Sequence, residues 1–229
     1  MSDTQVFALI NEAKSAQNLM RDAVDAVRNF QEPTAHSDAV FTLGSIGVEK
    51  TLKVMLGCVA VETDGAWPSL ARMKQWGHDV ETLAATLMTV ARERAHLAVA
   101  NNYMTQLIER VDGSETLSLL FATLSRYGRS GRFYYLDVLA TDEIGRFDAP
   151  GQYWERLEAH VAGGLGGMPY GSVEEFDAFI EQVSSAIAVE LDTWWFFVHR
   201  LGIQGCLGPL GKTFGWEIWP FRRPDPTSS

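Results

Sequence analysis

Arg72 and His78 stand six positions apart in "ARMKQWGHDVETLAATL", residues 71 to 87. Both residue types can act on a phosphodiester. A histidine moves protons at a 2′-hydroxyl or at a leaving oxygen near neutral pH. An arginine holds the scissile phosphate by two parallel hydrogen bonds. The same stretch also reads as the start of a helix. An Asp at position 79 satisfies free backbone N–H groups and suits the positive end of a helix. Other Arg/His pairs miss that spacing. Arg156 and His160, and Arg92 and His96, are each separated by three residues, and His199 precedes Arg200.

"SRYGRSGRFYYLD", residues 125 to 137, bunches Arg126, Arg129 and Arg132 beside Tyr127, Phe133, Tyr134 and Tyr135. Arginine forks with aromatic faces suit a nucleotide or a single strand, through phosphate pairing and stacking. Arg126, Tyr127, Arg129, Arg132 and Tyr134 are the candidate ligand-binding residues. The alternative is that the arginines pair with surface carboxylates and the rings fill the core. "DTWWFFVHRLG", residues 192 to 202, packs four aromatics into one helix. Core packing is one reading of it. A homodimer interface through Trp194, Trp195 and Phe197 is the other.

Metal and phosphate-loop chemistry find little support. The five histidines are scattered and are read as offering no HxxxH or Glu-x-x-His pair of ligands, and no metal or cofactor is expected. "GGLGGMPYG" lacks both the following Lys-Ser/Thr and the preceding strand of a phosphate loop. Cys58 and Cys206 form no CxxC and no Cys/His cluster, which fits a reducing compartment. The net charge of −10 repels a bare phosphate backbone, so binding of duplex DNA is not expected. No secretory signal opens the chain, and "TWWFFVHRLGI" is too short and too charged to span a bilayer. These features read as a cytoplasmic protein without a membrane partner.

The elements that must hold these residues are helical. "SDTQ" offers a capping box at Ser2 and Gln5, followed by Val6, Ile10, Ala13, Met20, Val24 and Val27 on one face. A second helix begins near Ser37 and Asp38, with Phe41, Val48, Leu52, Met55 and Val59 inward. Gly44 and Gly47 within it suit close approach to another helix. "TDGAWPS" is a loop. His78 to Val111 has no Gly or Pro and divides into two helices at an unplaced break. Ser114 caps a short helix to about Tyr127. A turn at 128–131, a helical piece, a loop over 141–152, a short helix in "YWERLEAHVA" and a glycine-rich link follow. "SVEE" gives a second capping box, Ser172 with Glu175. Phe176, Ile180, Val183, Ile187, Leu191, Trp194, Val198 and Leu201 then recur at helical spacing until Gly202. No segment alternates with period two. The class is all-α, one helical bundle domain over 1–202 with a tail over 203–229.

"GVEKTLKVML" (47–56), a loop, and then "GHDVETL" (77–83) resemble the HEPN superfamily. There the second helix often reads much like "AAEKALKALL", and a loop and a "HDL" helix start commonly follow. The resemblance covers about a third of the chain, roughly residues 5 to 90. It implies a HEPN-like antiparallel bundle, often dimeric, here with additional C-terminal helices. It also implies two kinds of function. Some members are metal-independent ribonucleases built on R-x(4–6)-H, a motif at a late core helix. This chain carries Arg72 and His78 at the entry to the third helix instead. Other members lack the motif and serve as partner or binding modules in stress and defence systems. The leading expectation is a non-catalytic nucleotide-binding or protein-interaction module. A ribonuclease using Arg72, His78 and the 126–132 arginines, and a structural homodimer without a ligand, are the alternatives. A protein partner, a nucleotide or RNA are the partners considered.

Overall fold

The computed structural model describes residues 1–145, 147–169 and 171–220. It is all-α, 81% helical, with no strand among the described residues. The helices are α1 (Asp3–Arg28), α2 (Pro33–Asp64), α3 (Leu70–Trp76), α4 (Val80–Arg94), α5 (Asn101–Asp112), α6 (Glu115–Arg129), α7 (Tyr134–Thr141), α8 (Pro150–Gly164), α9 (Val173–Ile203) and α10 (Gly208–Glu217). Short 3₁₀ turns at Ala95–Leu97 and Gly131–Phe133 divide α4 from α5 and α6 from α7.

Side-chain caps set many of the helix starts. Ser2 with Gln5 and Ser172 with Glu175 close reciprocal capping boxes on α1 and α9. Ser69, Asp79 and Ser114 each accept from a backbone N–H of the first turn of α3, α4 and α6. Pro33 opens α2 at a first-turn position, so α2 starts earlier than Ser37.

α1 and α2 are joined by a short link and pack along each other as a helical hairpin. Gly47 makes this possible. A Cβ there would lie 3.2 Å from the backbone of Leu19 and Met20. Gly44 serves the contact with α6, since a Cβ would meet Leu124 at 2.8 Å. α9 lies against α1, α5, α8 and α10, and α6 against α2, α4 and α8. The core runs through all of these, from Leu9 and Met20 to Leu120, Trp154, Trp195 and Phe214. On α1 the inward stripe is Leu9, Ala13, Ala16, Met20, Val24 and Val27, whereas Val6 and Ile10 are exposed.

Residues 203–220 are not a tail. α10 packs on α9, α2 and α1 and places Leu207, Phe214, Ile218 and Trp219 in the core. The glycines there are contact surfaces. A Cβ on Gly202 would lie 2.6 Å from the Gly211 carbonyl and 2.8 Å from the Gly215 Cα. Three polar contacts lock the segment. Gln17 Nε2 donates to the Glu217 carbonyl at 2.9 Å, Trp195 Nε1 to that of Ile218 at 2.7 Å, and His199 Nδ1 to that of Gly215 at 2.7 Å. "RRPDPTSS" lies outside the described residues. No helix among the described residues is long and apolar enough to cross a membrane.

Candidate functional site

Asp79 organises the region that holds the sequence-derived candidates. It caps α4 by accepting from the Thr82 N–H at 3.1 Å. It also accepts from the Ser125 hydroxyl at 3.0 Å and from Arg129 at 3.0 Å, both on α6. Burial pushes its carboxyl up, but the Thr82, Ser125 and Arg129 contacts outweigh it and hold the group below its ordinary value. Gly128 lets α6 come close. A Cβ at that position would lie 3.3 Å from the His78 carbonyl. The turn 77–79 is thereby fixed to the end of α6, and His78 is brought near the arginine cluster.

α2 supplies the other wall. His78 Nδ1 lies 3.0 Å from Glu49 Oε2. An ionised carboxylate only accepts, so the contact calls for a proton on Nδ1, and in the neutral imidazole Nε2 is then the acceptor. Lys53 Nζ donates to Glu49 Oε1 at 2.7 Å and to the Gly77 carbonyl at 2.6 Å. Lys50 reaches Glu12 of α1 at 2.7 Å. Glu12, Glu49, Lys50, Lys53, Trp67, Met73, His78 and Arg132 share one hollow of about 430 Å³. Lys50, Lys53 and Arg132 bring three basic side chains there, against two carboxylates. Arg132 makes no hydrogen bond or ion pair with a described residue. A second, more apolar hollow of about 330 Å³ shares Glu12, Trp67 and Met73 and adds Met1, Ala8 and Leu9. Trp67 stands between the two, held flat on α2 by Gly57, where a Cβ would be 2.3 Å from the indole.

Arg72 and His78 are not brought together as a pair. Arg72, on α3, donates to Asp64 at 2.7 Å and lies over the Trp76 ring, and it does not line the hollow. The aromatic-arginine cluster also divides. Tyr127 is half-buried, its hydroxyl 2.8 Å from that of Thr42 and its ring against Phe41, so it belongs to the core rather than to a ligand site. Arg126 donates to the Asp148 carbonyl at 2.8 Å and to Ser130 at 2.6 Å, with its guanidinium against the Tyr134 and Phe147 rings. Arg126 and Arg129 border a smaller hollow of about 140 Å³.

Trp194, Trp195 and Phe197 are all buried within the chain, so core packing accounts for them and they present no interface. Trp194 and Phe197 floor a groove of about 390 Å³ between α4, α5, α6 and α9, whose rim carries the Arg92–Asp112 ion pair. Cys58 and Cys206 are free and buried, and burial pushes the Cys58 thiol up to about 12, which removes it as a nucleophile. Glu93 and His96 do stand at Glu-x-x-His spacing. His96 Nδ1, however, faces the Glu93 carbonyl, and no group of three metal-ligating side chains forms among the described residues.

Glu49, Lys50, Lys53 and Trp67 were not picked out by sequence reasoning. The signal was present in part, since Glu49 and Lys53 stand at i,i+4 on the polar face of α2. The other partner of Glu49, His78, is 29 positions away, beyond any local pattern. No family model, curated protein or solved structure matches the chain.

Proposed function

We propose that the chain is a non-catalytic, HEPN-like binding module that takes a mononucleotide in the hollow between α2, the 77–79 turn and Arg132. The observation that carries this reading is convergence. Lys50, Lys53, His78 and Arg132, from distant parts of a chain of net charge −10, line one hollow. Arg132 has a free guanidinium fork for a phosphate. The Lys50–Glu12 pair is partly exposed and costs little to exchange for a ligand oxygen. Trp67 and the adjoining apolar hollow offer a face for a base. The size is that of a small-molecule site, which suits a mononucleotide better than a long strand. Buried free thiols are compatible with a cytoplasmic location, and a partner role in a stress or defence system follows from the HEPN resemblance. The homodimer belongs to this reading as well, without the buried α9 aromatics as its contacts.

Calorimetric titration tests it, with ADP, adenosine and inorganic phosphate against wild type and Arg132→Ala. ADP is expected to bind most tightly, and the variant to lose roughly tenfold or more in affinity. No saturable binding of any probe, or an unchanged Arg132→Ala, refutes the reading.

One observation favours a second reading, metal-independent phosphodiester cleavage. Glu49 orients His78 as a base whose Nε2 is open, and Arg132 rather than Arg72 shares its hollow. Incubation with mixed RNA in EDTA decides it. Cleavage by wild type that His78→Ala abolishes supports catalysis, and no cleavage by either leaves the binding module.

A further inference from the structure

α7 is apolar and almost unpartnered. None of its residues is buried, and it packs chiefly on the 3₁₀ turn before it. At about 100° per residue, Tyr135, Leu136 and Leu139 share one face, with Asp137 on the opposite side. Tyr135 is 71%, Leu139 81% and Ile144 84% exposed, and Phe133 and Phe147 are more than half exposed. Its aromatic part is connected. Arg126 lies against both the Tyr134 and Phe147 rings, and Tyr134 meets Tyr135 edge-on with centroids 5.2 Å apart. The loop after α7 folds back on it, since a Cβ on Gly145 would lie 3.6 Å from the Tyr134 ring.

We infer that this face, formed by Phe133, Tyr135, Leu136, Leu139, Ile144 and Phe147, is the contact surface for a second copy of the chain. The inference rests on the homodimer part of the proposed function and shares Arg132 with the proposed ligand site, so Leu139, which does not line that hollow, separates the two. Area is the first argument. At ~200 Å² per large side chain, the exposed fractions leave on the order of 800 Å² uncovered, which is what each partner of a stable interface buries. A monomer rarely leaves so much contiguous apolar surface open. Charge is the second. Arg132 precedes α7 without an internal partner, while Asp142 and Glu143 follow it. Two copies of α7 packed antiparallel across a two-fold axis set each Arg132 end against the other's acidic end, so the patch is self-complementary. The same acids, in a chain of net charge −10, disfavour an anionic lipid surface.

Sedimentation equilibrium of the full chain over the micromolar range tests this, with circular dichroism to confirm folding. Wild type is expected to be a dimer, and Leu139→Glu to raise the dissociation constant by roughly 30-fold or more. Val173→Glu, an equally drastic change at an exposed apolar residue of α9, is expected to leave the dimer intact. Arg132→Glu is expected to weaken it, and Arg132→Glu with Glu143→Arg to restore it. A wild-type monomer throughout overturns both the dimer and its surface. A dimer indifferent to Leu139→Glu overturns the surface alone. A monomer that co-sediments with phosphatidylserine vesicles, and loses that with Leu139→Glu, assigns the patch to a membrane instead.

Discussion

Two aromatic-rich stretches of similar composition have opposite fates in this molecule. On α9, Trp194 to Val198 are all buried, with Trp195 against Trp219 and Trp194 edge-on to Phe121. On and around α7, Phe133, Tyr135 and Phe147 face outward. Aromatic content therefore says little about burial by itself. What differs is the number of neighbours a helix has. α9 is a long helix enclosed by α1, α5, α8 and α10, while α7 is two turns long and packs chiefly on the 3₁₀ turn before it. The enclosed stretch supplies stability, and the open one adds little to the core.

Substitutions separate the two regions most sharply. Trp195→Ala is expected to cost ~3–5 kcal/mol in a denaturant titration, because it opens a cavity and orphans the Ile218 carbonyl. Tyr135→Ala, measured at protein concentrations where the chain is monomeric, is expected to stay within about 0.5 kcal/mol. Comparable losses would mean that α7 is packed as tightly as α9. The glycines give the next largest effect. Gly202→Ala drives a methyl into the backbone of α10 and is expected to cost ~1–3 kcal/mol. Gly163→Ala, on α8 with nothing within 4 Å, is expected to stabilise by up to ~1 kcal/mol.

Asp79 tests the joint between the helix start and the arginine cluster. Asp79→Ala removes a cap and the Ser125 and Arg129 contacts, for a loss of ~1 kcal/mol. Its folded pKa lies below the ordinary 3.8. The carboxylate's contribution is therefore complete above about pH 3.8 and fades as pH falls through the folded value. The gap between wild type and variant should be flat from neutral pH to near 4 and close below it. A gap that closes near neutral pH would contradict this assignment. The smallest effect is at Glu81, where burial first, and then the Asp79 charge, push the carboxyl up against the pull of Arg129. Charged Glu81 is thus slightly unfavourable in the folded state. Glu81→Gln should raise the melting temperature a little at neutral pH and not at all below pH 4.5.

Much of the fold was legible because helices announce themselves locally. Ser2, Ser114 and Ser172 cap where their spacing says, and Gly44 and Gly47 do admit neighbouring helices. The break between α4 and α5 carries neither Gly nor Pro, so nothing local marked it. α3 was missed because seven residues are too few to establish a period. α10 was missed because its glycines look like flexibility until Gly202 is found against Gly211 and Gly215. The α1 stripe was misread at its start because Val6 and Ile10 match the spacing as well as Leu9 does, and only the neighbours decide. The site was less legible. Asp79 was correctly placed at a helix start, and the pairing of Arg72 with His78 was spacing without proximity. Glu49 with His78 and Asp79 with Arg129 are contacts between helices, and one-dimensional periodicity carries no record of them.

Hydrogen–deuterium exchange of the full chain, with and without saturating ADP, tests the central claim most directly. The claim is that the hollow between α2, the 77–79 turn and Arg132 is the binding site. Slower exchange over residues 46–54 and 77–80, with Trp194 to Leu201 unchanged, is the predicted result. No change at those two segments, or protection confined to the α4–α6 groove, would contradict it.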